Sequence, residues 1–87
     1  MSAPAEEQRA YAEALRLASK DPRAGATALS AFVQEHPESP LADDAALELA
    51  ALGMRLGKPD AAARQLEWLL REHPNGDQSD RARLALA

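Results

Sequence analysis

The chain has 87 residues, 46% of them hydrophobic but only 3% aromatic, and a formal net charge of -4. A chain this short buries about 60% of the surface its unfolded form exposes, which makes one compact domain and excludes two. Its apolar residues are mostly alanine and leucine, which favour helices over strands; the acidic balance excludes nucleic acid as an expected partner, and the lack of cysteine excludes a disulfide framework, a thiol nucleophile and a thiolate metal site.

The first seven residues, Met1 to Glu7, carry neither the basic segment nor the apolar run of a secretory signal. No stretch approaches the roughly 20 apolar residues of a membrane span, so direct membrane insertion is not expected. The expected location is cytoplasmic for the chain as written, and periplasmic if it is a piece of a longer secreted protein.

Five helices are predicted. The first runs from Glu6 to about Ser19, and the Asp21-Pro22 pair caps a second from Arg23 to about His36. Ser39-Pro40 supplies a capping hydroxyl and a proline for a third helix starting near Pro40, with Asp43 and Asp44 placing negative charge on the positive end of its dipole. That helix carries Leu47, Leu49, Leu52 and Leu56 to Gly57, where Gly57-Lys58-Pro59 ends it. A fourth begins at Pro59-Asp60, holds Ala62, Leu66, Leu69 and Leu70 on one face, and stops at His73-Pro74-Asn75-Gly76. The remainder after Gly76 makes one more helix.

The segment Glu35-His36-Pro37 recurs as Glu72-His73-Pro74, and a shift of 37 residues superposes the surroundings without a gap. Pro22 falls on Pro59, Leu29 on Leu66, Phe32 on Leu69, Asp43 on Asp80, Leu15 on Leu52, and Ser2 on Ser39. The expected organisation is a single domain over 1–87, with a first repeat at 2–38, a second at 39–75 and a terminal capping helix at 76–87. Short connections make consecutive helices antiparallel neighbours, and one such pair buries its apolar faces only when another stacks on it. Alanines at Ala14, Ala26, Ala45, Ala51, Ala62 and Ala63 allow close approach of the axes, and Tyr11, Leu15, Leu29, Phe32, Leu49, Leu52 and Leu66 fill between them. The last helix covers the second pair, with Arg81 and Arg83 keeping its outer side wet.

This pattern resembles the tetratricopeptide repeat family, whose units are helix pairs with small residues in each helix, a large apolar residue in the second and a proline just after it. The second unit matches at Ala50, Gly57, Ala62, Leu66, Leu69 and Pro74, while the first has Glu13, Lys20 and Gly25 at the small positions. Gly53 stands where the family's first helix usually has an aromatic. The segment from His36 to Ala45 is similar to the bacterial subgroup found in cell-envelope coordinators of the CpoB and BamD kind. The resemblance implies an all-α solenoid of two and a half helix hairpins that acts as a scaffold by protein–protein interaction, binding a peptide or helix of another protein. It also implies that the first helices of successive units line a concave groove, placing Glu7, Ala10, Ala14 and Leu17, then Asp44, Leu47, Ala51, Met54 and Arg55, then Arg81 and Leu84 along it. Met54 suits irregular partners, and Arg55 with Arg81 suits a carboxylate.

Trp68 lies about 200° around its helix from Leu66 and is expected to point outward, between Arg64 and Arg71, with its ring either open to a partner or shielded by those arginine stems or by the next helix. An exposed tryptophan between arginines has the composition of an interface hot spot. It marks a second expectation, self-association into a homo-oligomer or docking through the convex face at Arg64, Trp68 and Arg71 or through the repeat ends.

No catalytic signature emerges, and no cofactor or metal is expected. His36 and His73 occupy one repeat position, roughly 10 Å apart in a stack, too far for one metal; they are expected to cap helix C-termini. Asp43 and Asp44 point about 100° apart, so neither calcium nor acid–base work follows. Ser39 has no nucleophile context, and Gly53, Gly57 and Gly76 form no phosphate-cradling loop.

Overall fold

A computed structural model describes residues 3–74 and 78–86. The described residues form α1 (Ala5–Lys20), α2 (Pro22–Glu35), α3 (Ala42–Arg55), α4 (Pro59–Glu72) and α5 (Ser79–Leu86), with no strand among them. Each helix packs chiefly on the one before and the one after it. The resulting body measures 34 × 30 × 16 Å, a slab less than two helix diameters thick. The fold is all-α and solenoid-like, as the sequence predicts. The expected stop at Asn75 and Gly76 and the match at Ser2 lie outside the described residues.

The helix ends follow the punctuation. The Asp21 carboxylate accepts from the backbone N–H groups of Arg23 (3.1 Å) and Ala24 (3.4 Å), with Pro22 leading the helix behind it. Gly57 adopts φ +73, its N–H donates to the Met54 carbonyl, and the Lys58 N–H donates to the Gly53 carbonyl at 2.7 Å. That pair of bonds is a Schellman ending, and the left-handed residue it requires is the glycine. The third helix starts two residues later than Pro40, at Ala42. Ser39 is used one turn early: its hydroxyl accepts from Leu41 N–H at 3.1 Å and its carbonyl from Ala42 N–H at 3.0 Å, so residues 39–41 form a lead-in turn before the helix.

The core joins all five helices through Ala14, Leu29, Phe32, Val33, Ala45, Ala46, Leu49, Leu52, Leu66, Leu69 and Ala82. Leu29 and Leu69, one from each second helix, are its largest fully enclosed side chains. Helix α3 is central and buries eight of its 14 residues, Ala42, Asp43, Ala45, Ala46, Leu49, Ala50, Leu52 and Gly53. Ala51 is an exception among the alanines expected at close crossings, for it is exposed.

Close approach within each hairpin occurs at a pair of small residues. A Cβ at Gly25 would overlap the Cα and Cβ of Ala18, and the second hairpin has Gly53 against Ala62 in the corresponding place. Gly25 and Ala62 are 37 positions apart, but Ala18 and Gly53 are 35 apart. The gapless shift of 37 therefore describes the second helices and fails at the ends of the first ones. The reason is the connection: Asp21 alone separates α1 from α2, whereas Leu56, Gly57 and Lys58 separate α3 from α4. The two extra loop residues are offset by two extra helical residues in α1.

Candidate functional site

A cleft of about 580 Å³ opens between α3, α4 and α5. From α3 it takes Leu47, Glu48, Ala50, Ala51 and Met54; its other walls are the first turns of α4, with Pro59, Ala62, Ala63 and Leu66, and Arg81, Ala85 and Leu86 of α5. The large, flexible Met54 side chain is 62% exposed over this opening. Its apolar walls are made by the small stripe of α4 facing α3, because alanine at Ala62 and Ala63 leaves space that a larger side chain would fill. Glu48 and Arg81 supply one charge of each sign at the cleft.

Next to it, a polar chain ties α5 to α3. The Gln78 amide donates to the Asp44 carboxylate at 2.6 Å, and Arg81 donates to the Gln78 side-chain oxygen at 3.2 Å. Tyr11 of α1 faces the same acidic segment. Burial, then the charges of Asp44 and Glu48, push its phenol up from 10.0 to about 12.

Of the residues expected along the concave groove, Leu47, Ala51, Met54 and Arg81 line this one cleft together. Ala14 does not face a groove: it is 2% exposed and sits in the core. Its burial agrees with its other expected role, as a small residue where helix axes approach closely. Leu17, Ala10 and Arg55 are exposed, but none lines this cleft. Leu84 is 78% exposed and does not line it, whereas Leu86 of the same helix does. Glu7 lies by His36, with Oε2 3.9 Å from the imidazole Nδ1. Glu48, Leu86 and the α4 residues of the cleft had no distinguishing signal in the sequence, since their convergence depends on how α5 crosses the second hairpin.

The tryptophan takes the shielded of its two expected arrangements. Trp68 is half-buried, packed against the core cluster, with its ring 5.5 Å from that of His73. Arg64 and Arg71 do flank it, lining the same surface depression. Val33 of α2 and Pro37 of the turn after it line the same depression as the ring.

His36 and His73 are the C-cap residues of α2 and α4, as expected, each donating its backbone N–H to the carbonyl of Phe32 or Leu69; their rings make further contacts to other parts of the chain. His73 Nδ1 lies 3.2 Å from the Oδ1 of Asp43, and its Nε2 lies 3.2 Å from the Pro37 carbonyl oxygen. His36 packs its ring on Phe32 at 5.1 Å and reaches Glu7. Each ring thus links the end of a hairpin's second helix to the start of its first. Asp43, expected only to face the helix dipole, is buried under His73. Among the described residues no three His, Asp or Glu side chains are grouped to hold a metal ion, and no helix is long and apolar enough to cross a membrane.

Comparison with known proteins gives one match: a family model described as a tetratricopeptide repeat-like domain covers residues 2–87. No curated protein and no solved structure matches the chain.

Proposed function

The chain belongs to the tetratricopeptide repeat-like domain family, whose members generally mediate protein–protein interaction and are generally non-catalytic, and from that premise we propose that it is an adaptor capturing a peptide or helix of a partner protein in the cleft between α3, α4 and α5. The observation that carries this reading is Met54, a large apolar side chain left 62% exposed above a cleft floored by Ala51, Ala62, Ala63 and Leu66. An apolar helix face fits such a floor, and methionine adapts its shape to it. Glu48 and Arg81 orient the ligand by offering opposite charges. The finer likeness of residues 36–45 to envelope coordinators of the CpoB and BamD kind makes a component of a bacterial envelope assembly the first partner class to try.

The test is peptide selection on the immobilised chain, followed by binding of the enriched peptides to Met54→Asp and Ala51→Arg variants. The expected peptides carry apolar residues at helical spacing and lose binding to both variants. Peptides that bind the variants as well as the wild type would remove the cleft from consideration.

A second reading, self-association through the repeat end, is favoured by Leu84, 78% exposed on the last helix. Light scattering over a concentration series, with Leu84→Glu beside the wild type, separates the two: a monomer throughout leaves the adaptor reading standing alone.

A further inference from the structure

We infer that the trough between the second helices α2 and α4 is another docking surface, shaped for an extended, acidic segment of a partner protein. Two adjoining depressions, about 490 and 400 Å³, share Ser30, Gln34 and Gln65 and so form one continuous trough. Lys58 stands along one part of it, Arg64 and Arg71 along the other, and no carboxylate residue lines either. The chain as a whole has 14 acidic residues against 10 lysines and arginines, so a trough with three cations and no acid runs against the composition. Three cations with no acid among the lining residues favour a negatively charged occupant.

The spacing constrains the shape of that occupant. Arg64 and Arg71 are two turns apart on α4, about 10.5 Å along the axis. A polyproline-type segment returns to the same side every third residue, about 9.3 Å further on. Carboxylates three residues apart in an extended segment therefore meet the two guanidinium groups in turn. Trp68 lies between the arginines, half-buried and held against the core, and offers a fixed apolar surface to a proline or aliphatic residue between the acids. Gln34, whose amide donates to the Ser30 hydroxyl at 3.4 Å, and Gln65 add uncharged polar groups to the lining, able to bond the backbone polar groups an extended segment leaves open. Glu72 approaches the Nε of Arg71 at 3.6 Å, which leaves the other donors of that guanidinium for a ligand.

A second copy of this chain is a poor occupant. Among the described residues its segments between helices carry single acids, Asp21 in one and Glu38 in another, and its remaining carboxylates are fixed on helices. The partner is therefore a different protein with a proline-containing acidic stretch.

The experiment is fluorescence anisotropy of the whole chain with a fluorescein-labelled Glu-Pro-Ala repeat peptide and its Gln-Pro-Ala counterpart at low and moderate salt. The expected results are binding of the glutamate peptide at least about tenfold tighter than the glutamine one, weakening with salt, and a loss of about tenfold in the Arg64→Glu/Arg71→Glu variant. Met54→Asp, in the other cleft, is expected to leave this binding unchanged, which keeps the outcome distinct from that of the adaptor reading. Equal affinity for the two peptides, no effect of the arginine variant, or loss in Met54→Asp would each overturn the inference. So would a wild-type oligomer that the arginine variant dissolves, because the occupant would then be a second copy. Circular dichroism checks that helicity is kept; if the double variant loses it, the single changes Arg64→Gln and Arg71→Gln at these exposed positions give the same readout.

Discussion

The imidazole of His73 sits between two acceptors from other parts of the chain, the Asp43 carboxylate and the Pro37 carbonyl, each 3.2 Å from one ring nitrogen. Through this single side chain the end of α4 is joined both to the start of α3 and to the turn that follows α2. Both hairpins are therefore tied at one end. His73→Phe keeps the ring against Trp68 but removes both polar contacts and leaves Asp43 buried beneath an apolar edge. The expected cost is about 1–3 kcal/mol, read by denaturant unfolding. His36→Phe, where the acid stands farther off at 3.9 Å, is expected to cost less.

The two hairpin crossings differ in tolerance. A Cβ at Gly25 would come within 2.7 Å of the Ala18 backbone nitrogen, so Gly25→Ala must push α1 away from α2. The expected destabilisation is about 1–3 kcal/mol in spite of the better helix propensity of alanine. At Gly53 the nearest atom would be the Ala62 Cβ, at 3.3 Å. There the tighter contact and the gain of about 1 kcal/mol in propensity offset one another, and Gly53→Ala is expected to change stability by less than about 1 kcal/mol. Thermal unfolding of the two variants side by side checks the contrast.

Tyr11 is the one tyrosine of the chain, so its titration is read directly from tyrosinate absorbance. The expected midpoint is about 12, raised first by burial and then by Asp44 and Glu48. The fold favours the protonated phenol, so its contribution to stability is complete below pH 10.0, the unfolded value, and is lost as pH rises through about 12. Asp44→Asn/Glu48→Gln is expected to lower the midpoint without bringing it to 10.0, because burial remains. Tyr11→Phe is expected to remove this part of the alkaline loss of stability.

Core and cleft should separate cleanly under substitution. Leu69 is fully enclosed, and Leu69→Ala is expected to cost about 2–5 kcal/mol. Met54→Asp, at an exposed position, is expected to stay within about 0.5 kcal/mol of the wild type. Unfolding curves for both, compared with peptide binding to Met54→Asp, distinguish a role in recognition from a role in folding.

Helix α5 is eight residues long and packs chiefly on α4, with Gln78 fastening its start to Asp44. Short helices gain little from their own hydrogen bonds. Amide exchange in α5 is expected to run well ahead of that in the central α3, and Gln78→Ala is expected to widen the difference. Hydrogen-exchange mass spectrometry resolves the two segments.

The sequence by itself determined the helices, because their causes are local. Asp21-Pro22 and Gly57-Lys58-Pro59 are complete start and stop devices within a few residues, and the spacing of Leu66 and Leu69 names a buried face without reference to anything else. The tertiary structure alone decided what those faces meet. A shift of 37 cannot reveal that α1 and α3 end 35 positions apart, since a one-residue and a three-residue connection both look like breaks in a pattern. Helical angle turned Trp68 away from Leu66 but left open whether its ring was covered, because an angle about one axis holds no information about α2 beside it. The partners of His73, Asp43 and Pro37, lie 30 and 36 positions away, and a contact of that separation exists only once the hairpins have stacked. Four of the groove residues meet in one cleft for the same reason: the crossing of α5 over the second hairpin brings Arg81 and Leu86 to Met54, and that crossing is set by packing against Ala82, not by any residue type read in order.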